Sequence, residues 1–256
     1  MQFDKLIIKF NSKEADKIKA YLFITCLVDT FYPHVGESMV KVLRRLGVDL
    51  DFLEDQTCCG QPAFNSGFQY DAKVLAKRFL SIFDKNEYIV CPSGSCATMV
   101  KIFYKDLFKG DPKLLEVAER VASRVFEFSD FIVNVLKKEH VGSRYNGKVT
   151  YHDSCHLLRE LHIDDEPRKL IRSVRGVEFI EMKLHDACCG FGGTFSVKYP
   201  EVSVSILDEK IESIINTGAD TLVSTDMGCL MHIGGAISRR KISVNAMHIS
   251  ELLASE

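Results

Sequence analysis

The sequences AYLFITC at residues 20–26 and KVTYHDSC at residues 148–155 share one pattern, a β-rich run that ends at a cysteine. Apolar and β-branched residues in such a run predict a strand, so each cysteine is expected at a strand's carboxyl end. An amphipathic stretch and a second short strand follow in each copy, VDLDFLE at residues 48–54 and VEFIEM at residues 177–182. Each copy therefore predicts a β-α-β unit.

Four cysteines repeat together with these strands. The first half carries Cys26, Cys58, Cys59 and Cys96, and the second half carries Cys155, Cys188, Cys189 and Cys229. In each half one cysteine precedes a Cys-Cys-Gly triplet by 31 or 32 intervening residues, and a last cysteine follows the pair after 36 or 39. Corresponding cysteines lie 129, 130 and 133 residues apart in a chain of 256 residues, which indicates an internal duplication.

The alternation of strands and helices predicts the fold class. After each triplet come a long helical stretch and a third apolar strand, YIVC at residues 88–91 and TLVS at residues 221–224. This order is typical of an α/β protein, here two similar Rossmann-like lobes with parallel sheets, related by a pseudo-twofold internal repeat.

We place one cysteine-rich domain at residues 1–140 and a second at residues 148–256, with the boundary in the polar stretch 137–148. Two further helical patterns, LLEVAERVASRVF and FSDFIVNVLKKEH, precede that boundary and have no counterpart of equal length in the second half. We expect them to form a cover or a partner surface.

Composition excludes several classes of protein. The 33 basic and 35 acidic residues leave a net charge of -2, so no surplus of positive charge is present for binding nucleic acid. The N-terminal twenty residues scatter charges where a signal peptide needs an apolar core, and no run of about 18 apolar residues occurs. We therefore expect a cytoplasmic, non-spanning protein, with peripheral docking on a membrane complex left open. No nucleotide-binding glycine motif follows a strand.

Nine cysteines in a reducing compartment favour metal or redox chemistry over a disulfide framework. In parallel sheets, ligands bind at the carboxyl ends of the strands, so cysteines distant in sequence are expected to converge there. Thiolates hold zinc and iron-sulfur clusters, and glycines beside them would aim amide N–H groups at the sulfurs. The two cysteine sets are therefore predicted to be two metal centres, one in each lobe.

The spacing Cys-x31-Cys-Cys-Gly-x35-Cys and its repeat resemble the cysteine-rich CCG domain of iron-sulfur oxidoreductases. From about residue 20 onward the chain resembles the lactate-utilisation protein A family, and more distantly the B subunits of heterodisulfide reductases and the iron-sulfur subunit of glycolate oxidase. The motifs that carry the resemblance are CCGQPAFNSG at 58–67, PSGSC at 92–96, YHDSCHLLREL at 151–161, CCGFGGTFSVKYPEVS at 188–203 and DMGCLMHIGG at 226–235.

This resemblance implies an electron-transfer subunit of an L-lactate (2-hydroxy acid) oxidoreductase complex that forms pyruvate. It also implies two partners, a ferredoxin-like iron-sulfur subunit and a third subunit. The count of four cysteines in each set favours two [4Fe-4S] clusters on the eight cysteines. Two alternatives stay open: a heterodisulfide or thiol-disulfide reductase subunit, and a scaffold subunit that holds zinc. Whether the substrate binds to this chain does not follow from the sequence.

The B subunits of heterodisulfide reductases end each motif in Cys-x-x-Cys, and this sequence does not. Ser93 and Asp226 stand three positions before the last cysteines. An oxygen of either residue would be a fifth ligand to a non-cubane cluster, whereas an ordinary cubane needs only four thiolates; we favour the ordinary count.

Other interpretations of these residues are plainer. Either site would suit structural zinc. The cysteines could also be small buried hydrophobic residues without a ligand. Vicinal disulfides at 58/59 and 188/189 are the least favoured interpretation, because they would be strained. Cys91, the ninth cysteine, is interpreted as a core residue, with spare ligand as the alternative. Three histidines beside the second set are interpreted as hydrogen-bonding residues, with proton donor or cluster partner as the alternative: His152, His156 and His185. Three basic residues would attract an acidic partner or form a solvated helix face: Arg159, Arg168 and Lys169.

Overall fold

The structure, a computed structural model, describes residues 17–256. The first sixteen residues, on which the signal-peptide argument largely depends, lie outside this range. Within it the chain forms two parallel four-stranded sheets with the same strand order. The predicted α/β class with two Rossmann-like lobes is confirmed.

The first lobe has the sheet order β2-β1-β3-β4, with every neighbouring pair parallel. Its elements are β1 (Lys19–Leu22), α1 (Cys26–Phe31), α2 (Pro33–Arg45), β2 (Asp49–Phe52), α3 (Gln61–Asn65), α4 (Gln69–Phe83), β3 (Tyr88–Cys91), α5 (Gly94–Thr98), a π-helical segment (Met99–Phe103), α6 (Tyr104–Phe108), α7 (Pro112–Ala122), β4 (Val125–Glu127), α8 (Phe128–Asp130) and a second π-helical segment (Phe131–Val135).

The second lobe repeats this plan with the order β6-β5-β7-β8, again all parallel. Its elements are β5 (Arg144–His152), α9 (Cys155–Glu160), α10 (Asp165–Ser173), β6 (Arg175–Phe179), α11 (Phe195–Lys198), α12 (Pro200–Ile215), β7 (Thr221–Ser224), α13 (Met227–Arg239), β8 (Asn245–His248) and α14 (Ile249–Ala254).

Helix α2 illustrates why these residues fold as they do. Pro33 occupies its first turn, where a missing N–H costs nothing. Val35, Met39 and Leu43 recur every four residues and are fully buried, so one face of the helix packs on the sheet while its charged residues face water.

The three predicted strands of each half are present, and the structure adds a fourth to each, β4 and β8. The polar stretch in which we placed the domain boundary contains the start of β5 at Arg144. The domain limits themselves stay a prediction.

The two extra helical patterns have different places in the fold. The pattern at residues 114–126 contains α7, which has no counterpart and covers α4 and α6 within the first lobe. The pattern at residues 128–140 contains α8 and its π-helical segment, which correspond to α14 after β8. That equivalent, ISELLA, makes less than two helical turns, so the pattern has no counterpart of equal length.

These last helices are exchanged between the lobes. Helix α14 of the second lobe packs on α2 of the first, and α8 of the first packs on α10 of the second. The Ser250 hydroxyl donates to the Val35 carbonyl at 3.0 Å, and the Asn134 amide donates to Glu166 at 2.8 Å. One hydrophobic core therefore runs through both lobes.

Among residues 17–256, no helix combines the length and apolar character needed to cross a bilayer.

Candidate metal centres

The eight motif cysteines lie at the carboxyl ends of the strands. Cys26 and Cys155 begin the short helices α1 and α9, just after β1 and β5. The Cys-Cys-Gly triplets lie in the connections that follow β2 and β6, and the last cysteines lie in the first turns of α5 and α13. Each set draws on three strands that neighbour one another in its sheet, which is how residues far apart in sequence meet.

The first set consists of two close pairs of sulfurs. Cys26 Sγ lies 3.8 Å from Cys58 Sγ, and Cys59 Sγ lies 3.4 Å from Cys96 Sγ. Cys59 is buried, whereas Cys26 is exposed. Two thiolates on one tetrahedral metal atom are separated by about 3.8 Å, so these spacings suit a shared metal atom.

The second set has the same pairing. Cys155 interacts with Cys188, and Cys189 interacts with Cys229, because in each pair the second thiol raises the pKa of the first. A ring nitrogen of His152 and the sulfurs of Cys189 and Cys229 all lie within 4.8 Å of one another. The donors of the second set thus include an imidazole as well as thiols.

In each set one thiol holds its neighbour as a thiolate. Hydrogen bonding from Cys26 lowers the pKa of Cys58 to about 3, and hydrogen bonding from Cys155 likewise lowers the pKa of Cys188 to about 2. The pKa values of the two donors are raised, first by that same hydrogen bond. Thiolate is the form that binds metal.

The glycine of each triplet shapes the loop. Gly60 and Gly190 have φ of +87° and +86°, a left-handed conformation that other residues rarely adopt. Their amides lie 3.4 Å from Cys58 Sγ and 3.3 Å from Cys188 Sγ, respectively. Amide donors at these sulfurs were expected from the glycines, and they stabilise negative charge there.

A single cavity of about 220 Å³ joins the two sets. All eight motif cysteines line it, together with Phe191 and the loops around Asn65 and Thr194. Near its rim the Ser66 and Thr194 hydroxyls, one from each lobe, are 2.9 Å apart. The two centres therefore face one space between the lobes.

Ser93 and Asp226, the residues considered as fifth ligands, contact each other across the pseudo-twofold. They form an isolated antiparallel bridge, and the Ser93 hydroxyl donates to Asp226 Oδ2 at 2.9 Å. Each also caps its helix, since Ser93 Oγ accepts from the Cys96 amide and Asp226 Oδ1 accepts from the Gly228 amide. These bonds occupy their oxygens, which supports the count of four cysteines in each set.

Cys91 is buried within the first lobe's core, in the same hydrophobic cluster as Ile89 and Phe79. Its thiol donates to the Ser93 carbonyl at 3.5 Å, and Cys91 is absent from the lining of the cavity. This placement agrees with a core residue. All nine cysteines are free, so no vicinal disulfide is present.

Of the three basic residues beside the second set, Arg168 does not belong to a solvated face. The side chain of Arg168 is only 6% exposed and makes ion pairs with Asp153, Asp164 and Glu181. It lies against the Tyr151 ring, 5.2 Å from its centroid. Its expected attraction for an acidic partner is wrong, because these neighbours already neutralise it.

Arg159 and Lys169, the other two basic residues, stay at the surface. Arg159 donates to the Asp186 carbonyl, and Lys169 lies 3.8 Å from Glu139.

The three histidines differ in their surroundings. His185 Nδ1 lies 2.8 Å from Asp153 Oδ2, and His156 Nδ1 lies 3.8 Å from Cys155 Sγ. His152 is buried at the end of β5, and desolvation lowers its pKa to about 3. The hydrogen-bonding interpretation therefore suits His185 but not His152.

Sequence reasoning missed Lys210. This lysine is fully buried in α12, and its ammonium donates to the Leu184 and His185 carbonyls in the loop that leads to Cys188. Burial lowers its pKa to about 8. The available signal was its position between Leu207 and Ile211 on the apolar face of the helix.

Comparison with known proteins defines the class first. Residues 20–101 and 149–234 each match the cysteine-rich CCG domain. Those two ranges are the two lobes' β-α-β units with their cysteines, so the duplication seen in the sequence is a duplication of this domain.

Two relatives identify the family within this class of protein. The chain is 49% identical over 237 residues to lactate utilization protein A 2 of Bacillus cereus strain Q1, covering 93% of this chain and 98% of that protein. It is 50% identical over 238 residues to lactate utilization protein A of Bacillus licheniformis, covering 93% of this chain and all of that protein. The chain therefore belongs to the lactate utilization protein A family, as its motifs indicated.

Among solved structures, a hypothetical protein from Helicobacter pylori superposes with a TM-score of 0.63. It is 10% identical in sequence, and the match covers 97% of this chain and 51% of that one. This likeness concerns the fold alone.

Proposed function

We propose that this chain holds one iron-sulfur cluster in each lobe and passes electrons in the oxidation of L-lactate to pyruvate, in the cytoplasm. The observation that carries the proposal is the pair of four-thiol sets lining one cavity. The names of the relatives supply the substrate class. In this proposal the chain works with a ferredoxin-like iron-sulfur subunit and a third subunit.

The thiol sets fit the group chemically. Each offers four soft donors, one of them held as thiolate, and a glycine amide directed at a sulfur. Cys26, Cys58, Cys59 and Cys96 would hold the first cluster, and Cys155, Cys188, Cys189 and Cys229 the second. The clusters would supply one-electron transfer.

The protein's own contribution is to position the thiols and limit the access of water. All eight motif cysteines line the cavity, but Cys59 and Cys189 are buried whereas Cys26 is exposed. The Tyr104 hydroxyl donates to the Cys59 carbonyl at 2.9 Å, and this bond holds the backbone of the first triplet in place. Lys210 does the same for the second triplet through the preceding loop.

Structural zinc is the second candidate, with the chain as a scaffold subunit. The spacing of 3.8 Å between Cys26 Sγ and Cys58 Sγ favours it, because a single tetrahedral zinc atom also gives this separation.

The first experiment measures iron, sulfide and zinc in protein purified without oxygen, together with the visible spectrum. About eight iron and eight sulfide per chain would support two [4Fe-4S] clusters. Zinc without iron, and no visible absorption, would reject the electron-transfer proposal in favour of the scaffold.

The second experiment tests the substrate. The oxidised chain is mixed with L-lactate, with and without its two partner subunits, and cluster absorption is followed. Bleaching with L-lactate but not with D-lactate supports the proposal. A chain that stays oxidised with every partner present contradicts its role in lactate oxidation, even if iron is bound.

A further inference from the structure

Two buried histidines in the second lobe differ in the hydrogen-bond partners of their ring nitrogens. His248 is fully buried, and its Nδ1 lies 2.9 Å from the Ser250 hydroxyl while its Nε2 lies 3.1 Å from the Pro92 carbonyl. His152 is 1% exposed, yet neither ring nitrogen has a hydrogen-bond partner in the described part of the chain. Buried polar atoms without a partner are rare in native proteins and call for an explanation.

The surroundings of the His152 ring explain why its nitrogens have no hydrogen-bond partner. A ring nitrogen and the sulfurs of Cys189 and Cys229 lie within 4.8 Å of one another, and all three residues are buried. The backbone of His152 is held in place, because it pairs with Ser224 of β7 and its carbonyl accepts from the Ser224 hydroxyl at 2.9 Å. An imidazole nitrogen fixed beside two thiols is a common arrangement of metal ligands.

The first lobe lacks this arrangement. The first cysteines of the two sets are 129 residues apart, and at that offset the position of His152 is occupied by Phe23. Phe23 is fully buried and packs on the rings of Phe79 and Phe83, with centroids 4.8 Å and 5.7 Å away. Nothing at this position of the first lobe donates to a metal.

We propose that His152 is a nitrogen ligand of the second centre, a fifth donor beside Cys189 and Cys229. The first centre is ligated by sulfur alone, so the two centres differ in chemistry. This inference rests on the proposed function only in requiring that the second thiol set binds a metal, and it holds for iron or zinc.

The test is nitrogen hyperfine spectroscopy on the reduced, full-length holoprotein. One of the two centres is expected to show strong ¹⁴N coupling, converted to a ¹⁵N signal when the protein is labelled with ¹⁵N-histidine. The labelling needs no substitution, so it does not depend on a variant that folds. If the metal is zinc, absorption spectroscopy at the zinc edge reads the same ligand from imidazole scattering.

Two variants assign the signal to a residue. His152→Phe, which installs the residue found in the first lobe, is expected to abolish the nitrogen coupling while the other centre keeps its spectrum. His156→Gln is the matched control, because His156 Nδ1 lies 3.8 Å from Cys155 Sγ and is the rival ligand. It is expected to leave the coupling unchanged.

The outcomes separate this inference from the proposed function. Metal in both centres without histidine coupling, or a coupling that survives His152→Phe or disappears in His156→Gln, overturns the ligand assignment alone. A second lobe that binds no metal overturns both proposals.

Discussion

The two lobes share one backbone plan but differ in the chemistry around their cysteines. The first lobe has buried apolar residues at Phe23, Ile24 and Met39. At the same 129-residue offset the second has His152, Asp153 and Arg168, all buried. The four-thiol pattern is the same in both lobes. The arrangement of the thiols can therefore stay constant while the charge and polarity of the buried residues at matching positions change. The second centre has the polar environment, and so it is the one whose properties the protein can tune.

The largest expected effect tests whether each lobe binds its own metal. Cys59→Ser and Cys189→Ser should each remove roughly half of the bound metal, since each centre draws its thiols from one repeat. The measurement is metal per chain after anaerobic purification. Cys91→Ser is the control and should retain all of it. Unchanged metal in both motif variants would refute the assignment of the two sets.

Arg168→Met should destabilise the protein by about 3–5 kcal/mol, because it removes the guanidinium that pairs with the buried Asp153 carboxylate and leaves only His185 beside that charge. Asp153 is 1% exposed and lies 2.6 Å from Arg168. The free energy of unfolding in urea measures the effect.

The double variant Asp153→Ile with Arg168→Met recreates the first lobe's pair, Ile24 and Met39, and should regain much of that loss. Arg172→Met, on the exposed side of the same helix, should cost less than about 1 kcal/mol. Equal losses in the single and double variants would show that charge pairing is not the cause.

Glu127 and His248 occupy matching N-cap positions before the exchanged helices, and Glu127 is expected to give an unusual pH dependence. Burial raises its pKa from 4.5 to about 8, although bonds from Ser129 oppose the shift. The folded state therefore binds this proton more tightly than the unfolded state. The resulting stabilisation is complete below about pH 4.5 and is lost as pH rises to about 8.

Glu127→Gln keeps the capping oxygen and removes the titration. At pH 8 it should be more stable than the native protein by an amount on the order of a few kcal/mol, with the difference shrinking toward pH 5. Urea unfolding across this range provides the measurement, and Glu119→Gln on the surface of α7 is the control. A difference that is the same at every pH would be incompatible with the titration.

The smallest effects concern the triplet glycines. A Cβ on Gly190 would lie 2.5 Å from the Ser203 carbonyl oxygen, whereas one on Gly60 would lie 3.3 Å from that of Ala72. Both positions have positive φ, so Gly60→Ala should cost about 1–2 kcal/mol and Gly190→Ala more. Thermal unfolding of the two variants ranks them, and the reverse order would contradict the geometry.

Much of the fold could be read from the sequence because the repeat and the strand patterns are local signals. The fourth strands could not, since VFE and NAMH are too short to show a period. The exchange of α8 and α14 could not be predicted for another reason. It depends on tertiary packing, and the amphipathic pattern of a helix shows which face is buried but not which helix packs against it.

The candidate sites were partly readable as well. Spacing alone predicted which cysteines would gather, since ends of neighbouring parallel strands meet. It did not predict that both sets share a cavity, which depends on how the lobes dock. Arg168 looked like a surface charge because its partners Asp153 and Glu181 are distant in sequence, and the isolation of His152 is visible only when every neighbouring donor and acceptor is placed.

The exchanged helices have a consequence for how such a chain can change. A single repeat would lose the helix that the other lobe packs on its first long helix, and two identical copies could restore both contacts by exchanging their last helices, as a domain-swapped dimer does. In such a dimer every substitution would alter both centres at once. When the two copies are joined into one polypeptide, the exchange of helices is kept but each centre can be changed separately. A histidine can therefore replace a phenylalanine beside one centre while the other centre stays the same.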